Sequence, residues 1–266
     1  MSYLGSALKT TSRLSAESAR LADDMLTAEG VIGKIVSLIV DKTISKISTL
    51  PFDKRRKACR SLTKLYYCVQ ALDDVTENYL ETLDQFRDSG NAAAVVHALN
   101  NHRHEVELAT NMFVDLGYEL HAGLEIIDPV LAACCRTLYV SKGDFLAFLS
   151  NSIRWNRSGS PAKIIVKRPL GRMEATDLED LYGRTESSFE AGVRNYWPSS
   201  AWDDFASDFE DIEIGFEDEK AATELRDMIV QQNARLKTAK ERLRQLIKDR
   251  FSIEEVLFQS DTHPYR

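Results

Sequence analysis

Residues 62–86 read LTKLYYCVQALDDVTENYLETLDQF, and the spacing of their apolar side chains decides the fold. Leu62, Leu65, Val69, Leu72, Thr76, Tyr79, Leu83 and Phe86 recur at intervals of three and four. Side chains so spaced line one stripe of a helix, and the stripe has to be buried against a partner. The rhythm returns in Val95, Leu99, His102, Val106, Ala109, Phe113, Leu116 and Leu120. It returns again in Leu225, Ile229, Gln232, Leu236, Ala239, Leu243 and Leu246. Only Asp88-Ser89-Gly90-Asn91 separates the first two stretches. Two helices joined by so short a polar turn form an antiparallel hairpin, each arm about 40 Å long, with Asp53 the expected N-cap of the first.

Working outward, residues 13–48 continue the same periodicity through Ile32, Ile35 and Ile39. Gly30 and Gly33 interrupt it, which predicts either a break or a close helix contact, because each glycine costs a helix about 1 kcal/mol against alanine. Pro51 ends the segment. Asp128-Pro129 predicts a new helix start, and a further helix is expected from Ser141 to about Trp155. Asn156-Arg-Ser-Gly-Ser-Pro161 reads as a linker. It divides the chain into an N-terminal helical bundle, 1–156, and a C-terminal module, 157–266, able to pack with the first as one domain. In the second part, Lys163–Lys167 and Asp211–Glu217 read as strands, paired so that Lys163 and Lys167 face Glu213 and Glu217. A helix from about Asp177 to Tyr196 is expected between them, and a long one runs from about Glu217 to Arg250. The predicted fold is all-α: a bundle of long antiparallel helices with coiled-coil-like packing, plus a small two-stranded β element in the C-terminal part.

Composition narrows the function classes. The chain has 266 residues, 44% hydrophobic and with a formal charge of −7. That charge opposes generic coating of nucleic acid while leaving room for a local basic site. The four cysteines (59, 68, 134 and 135) form no CxxC pair. Met1–Ser12 holds no apolar segment of secretory length, so the expectation is a cytoplasmic protein with reduced thiols. No run of eighteen uncharged apolar residues is present; the nearest, Val31–Val40, contains Lys34 and Ser37.

The searches for chemistry return nothing. Di-iron bundles need Glu three residues before His, but Ala94, Leu99, Asn101 and Tyr118 stand before the four histidines of the second seam and its end. His97 and His104 share a helix face without a matching metal motif. No arginine has a histidine four to six residues downstream, the pattern of helical ribonucleases. Phosphate-loop, GxGxxG and GxSxG motifs are all absent. Cys134 and Cys135 read as small core residues. No catalytic residue, cofactor, metal or small-molecule substrate is inferred, and the reading leans away from an enzyme.

Charge carries more information. Lys54, Arg55, Arg56, Lys57, Arg60 and Lys64 crowd the first turns of a helix, where the macrodipole disfavours cations. An anionic partner (phosphate, nucleic acid, lipid headgroup or acidic protein) is one explanation; a solvated face paired with neighbouring carboxylates is the simpler one. The counterpart is Trp202–Glu219, with Asp203, Asp204, Asp208, Glu210 and Asp211 and no Lys or Arg. Gly30–Ile47 carries a wide apolar face, Ile32, Ile35 and Ile39, flanked by lysines, the composition of an interfacial membrane helix. The leading expectation is a non-catalytic interaction protein: a scaffold, adaptor or regulatory subunit. It would meet a protein partner or a second copy of itself through the seam Leu225, Ile229, Gln232, Leu236, Leu243 and Leu246, in which Gln232 sets register. One alternative is a regulated membrane-perturbing effector, of toxin or defence type, that masks the 30–47 helix. The other is a nucleoprotein subunit using the 54–64 cluster, which is not favoured.

Overall fold

The computed structural model describes residues 28–89, 92–133, 153–156, 163–169, 178–191, 209–215 and 219–257. Helices make up most of them. Helix α1 is Ala28–Thr43, followed by a 3₁₀ turn, Ile47–Thr49. Helix α2 is Phe52–Ser89 and α3 is Ala92–Ile127. Strands β1 (Ile153–Asn156) and β2 (Lys163–Pro169) precede α4, Leu178–Glu190. Strand β3 is Phe209–Gly215, α5 is Glu219–Arg250 and α6 is Ile253–Leu257.

Residue pairs give the helix directions. Ser61 meets Glu119 and Tyr79 meets His102, so α3 runs antiparallel to α2. Asp84 meets Arg226 and Asp73 meets Lys240, so α5 is also antiparallel to α2. Gly33 meets Leu236 and Asp41 meets Arg242, so α1 runs parallel to α5. Glu29–His102 and Lys46–Asp128 bring α1 onto α3. One apolar core joins these helices, with Ile35 and Ile39 from α1, Leu62, Leu65 and Val69 from α2, Phe113 and Leu120 from α3, and Leu236 and Leu243 from α5. It takes residues from both sides of the 157–162 segment.

The first seam is buried at Leu62, Leu65, Val69, Leu72, Thr76, Tyr79 and Leu83; Phe86 lies outside the described side chains. The glycines of α1 make a close contact rather than a break. A Cβ on Gly33 would stand 2.9 Å from the Leu236 backbone nitrogen, and one on Gly30 would collide with the Gln232 side chain. Helix α2 begins at Phe52, one residue before the expected cap, because Arg55 N already donates to Pro51 O (2.9 Å).

Asp128 caps the next helical segment, 129–133. Its Oδ1 accepts from Val130 N (3.0 Å) and Leu131 N (3.3 Å). Its Oδ2 accepts from Tyr182 OH (2.8 Å) and Lys46 Nζ (2.5 Å), which ties α4 and the α1–α2 connection to the same carboxylate. Lys42 lies 4.4 Å over the Tyr182 ring, a cation–π contact.

The three strands are in the order β1-β2-β3, both pairs antiparallel. Two expectations are corrected here. Residues 153–156 extend a strand against β2, with Ile153 opposite Val166, rather than closing a helix. Ile and Trp favour the pleated surface, and the partner strand lies beyond the 157–162 segment, outside what helical periodicity reads. The β2–β3 register places Lys167 opposite Asp211 and Lys163 opposite Gly215, not opposite Glu213 and Glu217.

Candidate partner-binding end

The basic cluster sits where three elements meet. Arg55, in the first turn of α2, makes two parallel bonds to Glu255 of α6: Nε to Oε1 at 3.0 Å and Nη2 to Oε2 at 3.1 Å. Its Nη2 also donates to the Arg250 carbonyl at 2.5 Å, satisfying an orphan acceptor at the C-terminus of α5. The guanidinium lies 5.9 Å from the Phe251 ring centroid. Arg250 in turn donates to Ser48 Oγ at 3.0 Å, reaching the α1–α2 connection. Helix α6 is only five residues long, yet a capping box starts it. Ser252 N donates to Glu255 Oε2 (2.8 Å) and Glu255 N donates to Ser252 Oγ (3.2 Å). Fork geometry of the Arg–carboxylate kind fixes orientation as well as adding energy, so this end is a single rigid unit.

Around that lock the surface is basic and apolar together. Lys54, Arg56 and Lys57 are exposed. Eight large hydrophobic side chains are exposed among the described residues, and four of them belong to these elements: Ile44 (41%), Phe52 (62%), Ile253 (73%) and Leu257 (68%). Asp53, Asp249 and Glu254 are exposed acids on the same elements.

The six sequence-selected cations therefore have four fates. Arg55 is a structural strut, Lys64 is paired with Glu119 of α3, and Arg60 is half-buried with its own interactions. Lys54 and Lys57 make no ion pair with the described residues; Arg56 is exposed and has a partner of its own. Of the acidic stretch, Asp203, Asp204 and Asp208 lie outside the described residues. Glu210 and Asp211 lie on β3, opposite Arg168 and Lys167.

The third seam lies inside. Ile229, Gln232, Leu236, Leu243 and Leu246 are buried against α1 and α2 of the same chain, and the Leu225 side chain is outside the described residues. The expectation that this seam receives an outside partner is corrected: periodicity shows that a face is covered, and α1, parallel and seated on Gly30 and Gly33, covers it. Ile32, Ile35 and Ile39 are likewise buried, so a membrane-active α1 would first have to leave the core. Among the described residues, no helix is long and apolar enough to cross a membrane, and no group of three or more His, Cys, Asp or Glu side chains could hold a metal ion.

The seams also hold polar layers. Glu29 is buried in α1; Thr76 donates to its Oε1 (3.3 Å), and His102 Nε2 lies 3.4 Å from the same atom. Tyr79 stacks on His102 with centroids 4.2 Å apart. Burial, reinforced by Glu29, pushes the Tyr79 hydroxyl far above its ordinary range, so it stays neutral. Among the described residues, the Tyr79 hydroxyl and His102 Nδ1 have no hydrogen-bond partner. Between α2 and α5, Asp73 accepts from Asn233 Nδ2 (3.0 Å) and pairs with Lys240. Beside it lies an open groove of about 640 Å³, lined by Glu77, Glu81 and Asp84 on one side and Arg226, Val230 and Lys237 on the other. Bidentate Arg226–Asp84 and Lys237–Glu77 pairs cross it.

Glu29, Asp73 and Tyr79 were not selected from sequence as polar partners. The signal lay in the polar interruptions Thr76, His102 and Gln232, which mark layers where one helix's seam needs a hydrogen-bonding neighbour. No family model matches the sequence, and no curated protein or solved structure matches it.

Proposed function

We propose that this chain is a non-catalytic interaction protein, a helical bundle with coiled-coil-like packing that serves as a scaffold, adaptor or regulatory subunit. It meets an anionic partner through the end formed by the start of α2, the α1–α2 connection and α6. The observation that carries the reading is that Ile44, Phe52, Ile253 and Leu257 are exposed on elements joined by the Arg55–Glu255 pair and the Arg250–Ser48 bond, with Lys54 and Lys57 exposed at the start of α2. Single exposed apolar residues need no explanation, whereas several on joined elements with polar residues around them favour a binding surface. Bases in the first turn of a helix lower its stability, so their retention favours a purpose outside the helix.

The long seams hold the frame rather than the partner. A rigid end loses little conformational freedom on binding, which favours affinity from a small area. The test is the size of the assembly in extracts of the source cells. The native chain should elute well above its monomer mass at low salt and shift toward monomer at high salt. Lys54→Glu with Lys57→Glu, which spares the Arg55 strut, should elute as monomer at both. Elution of the native chain as a monomer at every salt concentration would contradict the reading.

A further inference from the structure

We infer that the groove between α2 and α5 binds a primary ammonium group carried on an alkyl stem. The site lies along the helix shafts, apart from the partner-binding end, and does not rest on the reading just given. Antiparallel packing sets acids of α2 against bases of α5 in rungs three or four residues apart, the spacing of neighbours on one helix face. Asp73 pairs with Lys240, Glu77 with Lys237 and Asp84 with Arg226. Glu81 continues the acidic row between Glu77 and Asp84. On α5, the row from Lys237 to Arg226 runs through Asn233 and Val230. Asn233 already bonds to Asp73 and Glu77, which leaves Val230 at the level of Glu81. The rung at Glu81 therefore lacks its cation. Glu81 is exposed and has no hydrogen bond or ion pair with a described residue.

The groove of about 640 Å³ holds this rung between two bridged ends, Lys237–Glu77 and Arg226–Asp84. Its volume is that of a small-ligand site. Both lining cations are already paired, so Glu81 is the charge left over, and it is negative. Asn233 is a second, independent sign. Its side chain is buried in the groove's wall, and Nδ2 donates to Asp73 (3.0 Å) and Glu77 (3.4 Å) while Oδ1 has no donor among the described residues. A buried acceptor without a donor is costly. An ammonium brings three donors and no acceptor, which suits a lone carboxylate and an unfilled amide oxygen. Leu80, Val230 and Ala234 line the same groove, and Val230 is 39% exposed, so an alkyl stem can lie along them. A bare metal ion is a poor fit, because no group of three or more His, Cys, Asp or Glu among the described residues could hold one.

Two sources carry this chemistry, a lysine side chain of another protein and a free polyamine, and one titration separates them. The isotope-labelled full chain is titrated in an NMR experiment with Nα-acetyl-lysine methylamide, with spermidine, and with Nα-acetyl-norleucine methylamide, which keeps a stem but has no ammonium. Saturable shifts of the backbone amides in 77–85 and 226–237 are expected with an amine and none with the norleucine compound. Tighter binding of the lysine derivative assigns the site to a protein's lysine; tighter binding of spermidine assigns it to a polyamine. Glu81→Gln should weaken binding about tenfold or more. Val230→Lys, which supplies the missing cation from α5 itself, should weaken it equally. Both positions are exposed, and circular dichroism checks that each variant stays folded. No saturable shift with either amine, binding that Glu81→Gln leaves unchanged, or equal binding of the norleucine compound would overturn the inference.

Discussion

Gly33 of α1 lies so close to Leu236 of α5 that a methyl group on its Cα would stand 2.9 Å from the Leu236 backbone nitrogen. Two effects of Gly33→Ala oppose each other. Alanine gains about 1 kcal/mol of helix propensity, while overpacking against an unyielding backbone costs about 1–3 kcal/mol. The clash wins, because the obstacle is main chain rather than the end of a side chain. Gly33→Ala should lower stability in urea titration by up to about 2 kcal/mol net. Gly183 in α4 is the control: a Cβ there meets nothing within 4 Å, so Gly183→Ala should raise stability by about 0.5–1 kcal/mol.

Asp128 joins three elements, and its substitution should show it. Removing the carboxylate deletes the cap of the 129–133 helical segment and strands Lys46 and Tyr182. Asp128→Ala should cost about 2–4 kcal/mol. Burial alone would raise this carboxyl's pKa, but hydrogen bonds from Lys46, Tyr182 and the Leu131 amide outweigh it and hold it below the ordinary carboxylate value. A depressed folded value means the stabilisation is complete above the unfolded pKa, near 4. It is lost as pH falls through the folded value. Stability measured from pH 7 downward should fall off below about pH 4 in the native chain. The fall should be shallower in Asp128→Asn.

Cys68 should be a slow nucleophile. Burial pushes its thiol up to about 11, with Lys64 offsetting only part of the rise. Since the thiolate reacts and the thiol does not, alkylation at neutral pH should run about a hundredfold slower than in the unfolded chain. Mass spectrometry of the Cys68 peptide after timed iodoacetamide treatment reads this directly. Cys59, fully buried in the core, should be protected as well.

The Arg55 strut makes a local rather than a global prediction. Arg55→Ala leaves Glu255 buried without its cation and Arg250 O without a donor. Unpaired buried groups of this kind cost about 1–3 kcal/mol, leaving the five-residue α6 to Val256 packing and its capping box. Hydrogen exchange should quicken across residues 252–257 while the amides of α2 and α3 stay protected. Equal loosening of all three would mean the strut supports the whole core.

Much of the helical frame was legible, because its signal is local. Leu62, Leu65, Val69, Val106 and Phe113 announce their burial by spacing alone. Which helix covers a face is a long-range matter, and there the reading failed for α5. Nothing in Leu236 or Leu243 reveals that α1 lies parallel to them, although Gly30 and Gly33 hinted at a close neighbour. The expected helix end at about Trp155 is a strand, because so few residues show no period and the pairing with β2 reaches across the 157–162 segment. At the basic end, six cations were visible as one run, but only the fold separates the Arg55 strut and the Lys64–Glu119 pair from Lys54 and Lys57. Phe52, Ile253 and Leu257 could not be joined from sequence, since 200 residues separate the first from the others.

The proposed partner-binding role of this end is tested most directly by where the molecule forms contacts in its native setting. A photo-reactive phenylalanine analogue is placed at Phe52, and in a second protein at Tyr67, which is equally exposed on α2 but outside this end. Irradiation in the source cells should give a discrete protein or lipid adduct from position 52, lost when Lys54 and Lys57 become Glu, and none from position 67. Equal labelling from both positions, or adducts at 52 that ignore the charge reversal, would contradict the account.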